Sequence, residues 1–124
     1  MRALGLLLII ALALAGCTRA STSDSALTIT MEVTPNPPTV GVATIDLQVL
    51  DPNGQPLEGA RVEVEGSMTH AGMTPEIATA DERAPGRYRA LVPLSMSGDW
   101  LITVAVHMAD GQVVEETLPL PPVQ

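Results

Sequence analysis

The sequence predicts an all-β domain, a two-sheet sandwich of about seven strands. After the first apolar segment, apolar residues recur with period two, and no stretch shows the 3.6-residue period of a helix. The alternating runs are short, with turn signals of Gly, Pro, Asn and Asp between them roughly every 8 to 12 residues. The apolar positions are almost all aliphatic, because the 124 residues include no Phe, one Trp and one Tyr. Packing of Val, Ile, Leu and Met must therefore hold the layers together. A barrel is the alternative that the same pattern permits.

The chain opens on Met1-Arg2, a short basic region, followed by an apolar run from Leu4 to Ala15. That run is shorter than the roughly 20 residues of a bilayer crossing and suits the apolar part of a signal peptide. Behind it, Leu14-Ala15-Gly16-Cys17 resembles the lipobox of bacterial lipoproteins. The resemblance implies that residues 1–16 are removed and that Cys17 is diacylated and becomes the first mature residue. An ordinary signal peptide or an uncleaved anchor is the alternative. Residues 17–26 then form the lipidated cysteine and a polar, flexible tether. The expected location is the cell envelope, facing the periplasm or exterior. Thr18 in place of Asp favours the outer membrane in a diderm. Cys17 is the only cysteine, so structural disulfides and thiolate metal sites are excluded.

The domain is expected over residues 27–120, with 121–124 as a tail. Leu27 to Val33 alternates, setting Leu27, Ile29, Met31 and Val33 on one face. Pro35, Pro37 and Pro38 stop it, since proline cannot donate to a ladder. In the second strand, Val42 to Leu50, Ala43, Ile45, Leu47 and Val49 face inward. Asp51-Pro52-Asn53-Gly54 is a turn, and the third strand turns Ala60, Val62 and Val64 inward. A short fourth strand is expected from Ile77 to Ala80. The fifth turns Tyr88, Ala90 and Val92 inward against Arg87 and Arg89. Trp100 opens the sixth, whose Ile102, Val104, Val106 and Met108 share a face with His107 opposite. Asp110-Gly111 turns into a seventh, Val113 to Leu118, which Pro119, Pro121 and Pro122 end. Met31 and Met108 are assigned to the core, and His107 to an exposed strand face.

Charge narrows the function. Without residues 1–16 the chain keeps five arginines and no lysine against 14 acidic residues, a balance of about −9. Nucleic-acid binding needs a basic footprint and is excluded on this ground. The same acidity disfavours a domain lying flat on anionic lipid, leaving lipidated Cys17 as the membrane attachment. Catalysis is not expected either. Ser67, Ser95 and Ser97 have no spacing that connects them to a base, and Glu115 and Glu116 point to opposite faces of their strand.

One segment carries distinctive chemistry. Met68-Thr69-His70-Ala71-Gly72-Met73 puts two thioethers and an imidazole within six residues of a chain with only two histidines. Thioether is a soft ligand that selects Cu(I), and imidazole suits copper as well. Ala71 and Gly72 let the segment curl. Met96, on the turn before Gly98-Asp99-Trp100, is the best remote partner, because that turn can lie at the same end of a sandwich. The candidate metal ligands are therefore Met68, His70, Met73 and Met96, with Glu76 as a possible acceptor for the second ring proton of His70. Each methionine has an alternative role as core filler, and Trp100 an expected one as packing across the layers.

Three ordered blocks carry a family resemblance: Val62 to Pro75, Pro85-Gly86-Arg87-Tyr88-Arg89-Ala90, and Met96-Ser97-Gly98-Asp99-Trp100-Leu101-Ile102. Together they resemble the YtkA-like domain, which is related to FixH-type proteins. The resemblance implies an immunoglobulin-like sandwich, exported or membrane-associated, with a link to copper handling. FixH-type proteins are integral-membrane partners in cytochrome oxidase assembly, and processing at Cys17 would leave this chain without their membrane helix. The expected function is extracytoplasmic Cu(I) binding, buffering or transfer by a lipoprotein, with a copper donor or acceptor protein as partner. The alternative is a protein-interaction module without metal, accessory to an envelope transporter or assembly complex.

Overall fold

The computed structural model describes residues 27–70 and 72–124. The expected signal peptide at 1–16, lipidation at Cys17 and tether at 17–26 lie outside the described residues. Seven strands follow in chain order: β1 (Thr28–Thr34), β2 (Gly41–Leu50), β3 (Arg61–Met68), β4 (Glu76–Ala84), β5 (Arg87–Leu94), β6 (Trp100–His107) and β7 (Val113–Pro119). All neighbours are antiparallel. They hydrogen-bond in the order β1-β2-β5-β4-β3-β6-β7, one sheet curled into a nearly closed barrel with β1 and β7 at its edges.

β4 joins the two halves of this order. Glu76–Ala80 pairs with β3, and Asp81–Ala84 pairs with β5 through a register shift between Glu82 and Ala84. The strand thus runs past Ala80, where the apolar alternation ends. Asp81-Glu82-Arg83 hides the continuation, because these exposed side chains sit at the irregularity, and a bulge places two residues against one.

Period-two alternation explains the core. Ala43, Ile45, Leu47 and Val49 of β2 and Trp100, Ile102, Val104 and Val106 of β6 are all essentially inaccessible. Each buried Val, Leu or Ile side chain contributes about 1.5–3 kcal/mol of transfer free energy. Met31 and Met108, expected in the core, are half-buried and pack against it. Tyr88 is buried with its hydroxyl satisfied. It donates to the Leu57 carbonyl at 2.7 Å and accepts from the Ala60 N–H at 3.2 Å. Burial pushes its phenol pKa up.

The register separates two ends. At one end lie the start of β1 (Thr28 opposite Leu50), the 51–60 connection held by Tyr88, and the Pro85-Gly86 turn. At the other lie the β1–β2 connection, the β3–β4 loop, the β5–β6 loop and the C-terminus. Residues 121–124 are tied down there: Val123 bridges Gly98 and is 3% exposed, and Gln124 exchanges backbone hydrogen bonds of 3.0 Å with Pro38 and Val40.

Candidate functional site

Met68 is the last residue of β3 and faces inward by the same alternation that buries Val62 and Val64. Its register partner on β6 is Trp100. The indole fits beside β3 because residue 66 is glycine. A Cβ there would stand 3.0 Å from Val92 Cγ1 and 3.6 Å from the indole ring. Trp100 is 2% exposed, and its Nε1–H donates to the Met96 carbonyl at 2.9 Å. One buried ring thus ties the β5–β6 loop to the end of β3.

Gly98 tightens that junction. Its φ of 127° is one that L side chains rarely adopt, and a Cβ there would meet the Met68 methyl at 2.9 Å. Met68 therefore packs its Cε against the β5–β6 loop backbone. The other candidate ligands occupy the same end at graded depths. Met68 is 8% exposed and belongs to the core, Met73 is half-buried against it, His70 is exposed, and Met96 is 44% exposed. Gly72, at φ 90°, turns the loop between His70 and Met73. Glu76 is half-buried at the start of β4, opposite Gly66. His70 and Met73 thus sit on the β3–β4 loop and Met96 on the β5–β6 loop, while Met68 stays in β3 beside Trp100.

Among the described residues, no group of three or more His, Cys, Asp or Glu side chains could hold a metal ion. A metal at this end would rest on thioethers with at most one imidazole, a donor set that discriminates against hard cations.

A cluster that sequence reading did not anticipate lies on the outer face. His107 Nε2 is 3.1 Å from Glu63 Oε2, and Arg61 hydrogen-bonds the other oxygen of the same carboxylate. The Arg61 guanidinium, and then His107, hold the Glu63 carboxyl below the usual glutamate range. Alternation had set all three outward. Their contact required the Arg61–His107 register, which links residues 46 positions apart. His107 is half-buried in this cluster. Exposed apolar side chains also mark the methionine end and its approach: Val40, Val42, Ile77, Leu91 and Met96.

Fold and site together define a class: a small all-β domain with methionines near a buried tryptophan at one end of its strands. The chain belongs to the YtkA-like family, whose model matches residues 23–105. The match spans β1 to most of β6 and includes all four candidate ligands. The crystal structure of the PmoD soluble domain from Methylocystis sp. ATCC 49242 (Rockwell) is similar to this chain. The TM-score is 0.51 at 13% identity, covering 79% of this chain and 90% of that one. At that identity the likeness is one of fold. No curated protein sequence matches. Among the described residues, no helix is long and apolar enough to cross a membrane.

Proposed function

We propose that this protein is a lipid-anchored, extracytoplasmic Cu(I)-binding domain that buffers copper or passes it to a partner protein. The observation that carries the reading is the Trp100 junction. Its register with Met68 and its hydrogen bond to the Met96 carbonyl bring the β3–β4 and β5–β6 loops to one end of the fold. Met68, His70, Met73 and Met96 would hold the ion. Their chemistry fits Cu(I), since thioether and imidazole donors stay functional without a thiolate. Sulfur-rich ligation favours storage or transfer over electron transfer, for which blue-copper sites use a cysteine.

In this reading the barrel is flattened into an immunoglobulin-like sandwich, with β4 passing from one layer to the other. Its split pairing with β3 and β5 supports that view. The anchor is diacylated Cys17, in the outer membrane if the organism is a diderm. A tether over 17–26 would enter the fold at Leu27, at the end opposite the methionine loops. The copper site would then face away from the membrane, toward a donor or acceptor protein.

The exposed apolar residues Val40, Val42, Ile77 and Met96 favour a second reading. In it the same end is a protein-interaction surface accessory to a transporter or assembly complex, without metal. Competition with bathocuproine separates the two. The purified chain is expected to retain one Cu(I) against the chelator, with affinity lowered more than about tenfold, about 1.4 kcal/mol, in the Met68→Ala/His70→Ala variant. Unchanged affinity in that variant would sink the metal reading and leave the interaction module.

A further inference from the structure

We propose that the outer face of β1, β2 and β5 at the tether end is a contact surface for anionic phospholipid headgroups of the membrane that holds the chain. The proposal rests on the lipid-anchored reading above. Its starting observation is a segregation of charge. The chain carries a net −8, yet three of the four arginines among the described residues, Arg83, Arg87 and Arg89, line one groove of about 510 Å³. Only two carboxylates line it with them, Glu32 and Asp46.

The arginines are not equivalent. Arg89 is paired, with its Nε 2.7 Å and a terminal nitrogen 3.2 Å from the two Asp46 oxygens. Arg83 and Arg87 have no carboxylate within ion-pair distance among the described residues. The carboxylate next to Arg83, on Glu82, accepts from the Gly59 N–H at 3.0 Å and the Gly86 N–H at 3.4 Å, and so is turned toward backbone. Thr30 and Gln48 occupy the register row of Arg87 and add hydroxyl and amide donors. Two free guanidinium groups beside such donors match a phosphate diester.

Position argues for a membrane rather than a dissolved anion. The row Thr30–Gln48–Arg87 lies two residues from Thr28, where β1 begins. The ten residues 17–26 can span at most about 33–36 Å. The groove would therefore stay within reach of the headgroups, and tethering makes weak contacts count through effective concentration. Much of the acidity lies elsewhere. Glu63, Glu65 and Glu115 are on the outer faces of β3 and β7, and Glu76 and Asp99 are at the methionine end. Nearer the groove, Asp81 stands opposite Arg89 in the β4–β5 register, and Glu58 and Glu82 share a second, open groove with Arg83. A screening length of about 8 Å at physiological salt lets the arginine face act locally despite the net charge.

The test uses the full, lipidated chain in vesicles of phosphatidylcholine, with or without phosphatidylglycerol, read by amide hydrogen exchange. Anionic vesicles are expected to slow exchange at the Pro85-Gly86 turn about threefold or more, given roughly fivefold per arginine at such a surface. The β5–β6 loop should not change. Arg83→Gln/Arg87→Gln should abolish the slowing, and Arg61→Gln, which removes the same kind of charge elsewhere, should not. Equal exchange in both vesicles, or slowing that survives in the double variant, would overturn the proposal while leaving the anchor intact. The same slowing by inorganic phosphate on neutral vesicles would replace the membrane by a dissolved oxyanion and overturn it too. A chain that fails to float with neutral vesicles would overturn the anchored reading and this proposal together.

Discussion

Trp100→Ala is expected to lower the unfolding free energy by about 3–5 kcal/mol, the range for deleting a large buried aromatic. For a domain of this size that corresponds to a fall in Tm of more than about 12 °C, measurable by far-ultraviolet circular dichroism. The ring is 2% exposed and lies against the backbone of Gly66, so the cavity left behind would be lined by β-strand backbone that cannot easily collapse. The same change removes the donor that holds the Met96 carbonyl. Trp100→Phe separates the two losses, since it keeps most of the packing but not the hydrogen bond. A loss below about 1 kcal/mol for the alanine variant would mean that the junction is not part of the core.

Gly86→Ala is expected to cost about 2–5 kcal/mol by a different route, combining left-handed strain of about 1–2 kcal/mol with overpacking of about 1–3 kcal/mol. Gly86 is buried at φ 69°. An added Cβ would stand 2.7 Å from Pro56 Cβ, 2.9 Å from Pro56 Cα and 2.9 Å from the Val49 carbonyl oxygen. Two of these contacts are backbone, so no rotamer change relieves them. The Gly86 carbonyl also accepts from the Val49 N–H at 2.8 Å, so a displaced turn would loosen β2. Chemical denaturation of the two chains side by side measures the difference. A variant within about 0.5 kcal/mol of the parent would show that the turn yields freely.

How much of this was legible in the sequence depended on whether the information was local. β2 and β6 were plain because four inward apolar residues in each follow strict alternation, and burial follows period alone. The second half of β4 was not, because a strand that changes partner at a bulge carries charges where the pattern expects apolar residues. At the candidate site, the residue types and the loop bearing His70 and Met73 were legible, as was Met96 on a loop able to reach the same end. Met68, by contrast, belongs to β3 and the core rather than to the loop. The link between the loops was not legible. It is an indole bonded to a backbone carbonyl, and a carbonyl acceptor leaves no trace in residue identity. The Arg61–Glu63–His107 cluster and the arginine groove were hidden for a related reason. Alternation gives the face of each residue, but neighbours across a sheet emerge only from strand order and register.

These elements make the methionine end a structured place. Glycines at 66 and 98 clear room for Trp100 and Met68, the indole fastens the Met96 loop, and Gly98 is bridged to Val123. If Met68 and Met96 bind an ion as proposed, such a frame limits the conformational freedom they lose, which is the physical basis of preorganisation. Met68 anchors the arrangement from the core side, whereas His70 and Met96 are exposed.

X-ray absorption spectroscopy at the copper edge of the Cu(I)-loaded chain tests the central claim most directly. The account predicts a coordination shell of two or three sulfur scatterers with one imidazole nitrogen, and loss of one sulfur in Met96→Ala. A shell of nitrogen and oxygen alone, or a sulfur count unchanged by Met96→Ala, would contradict it.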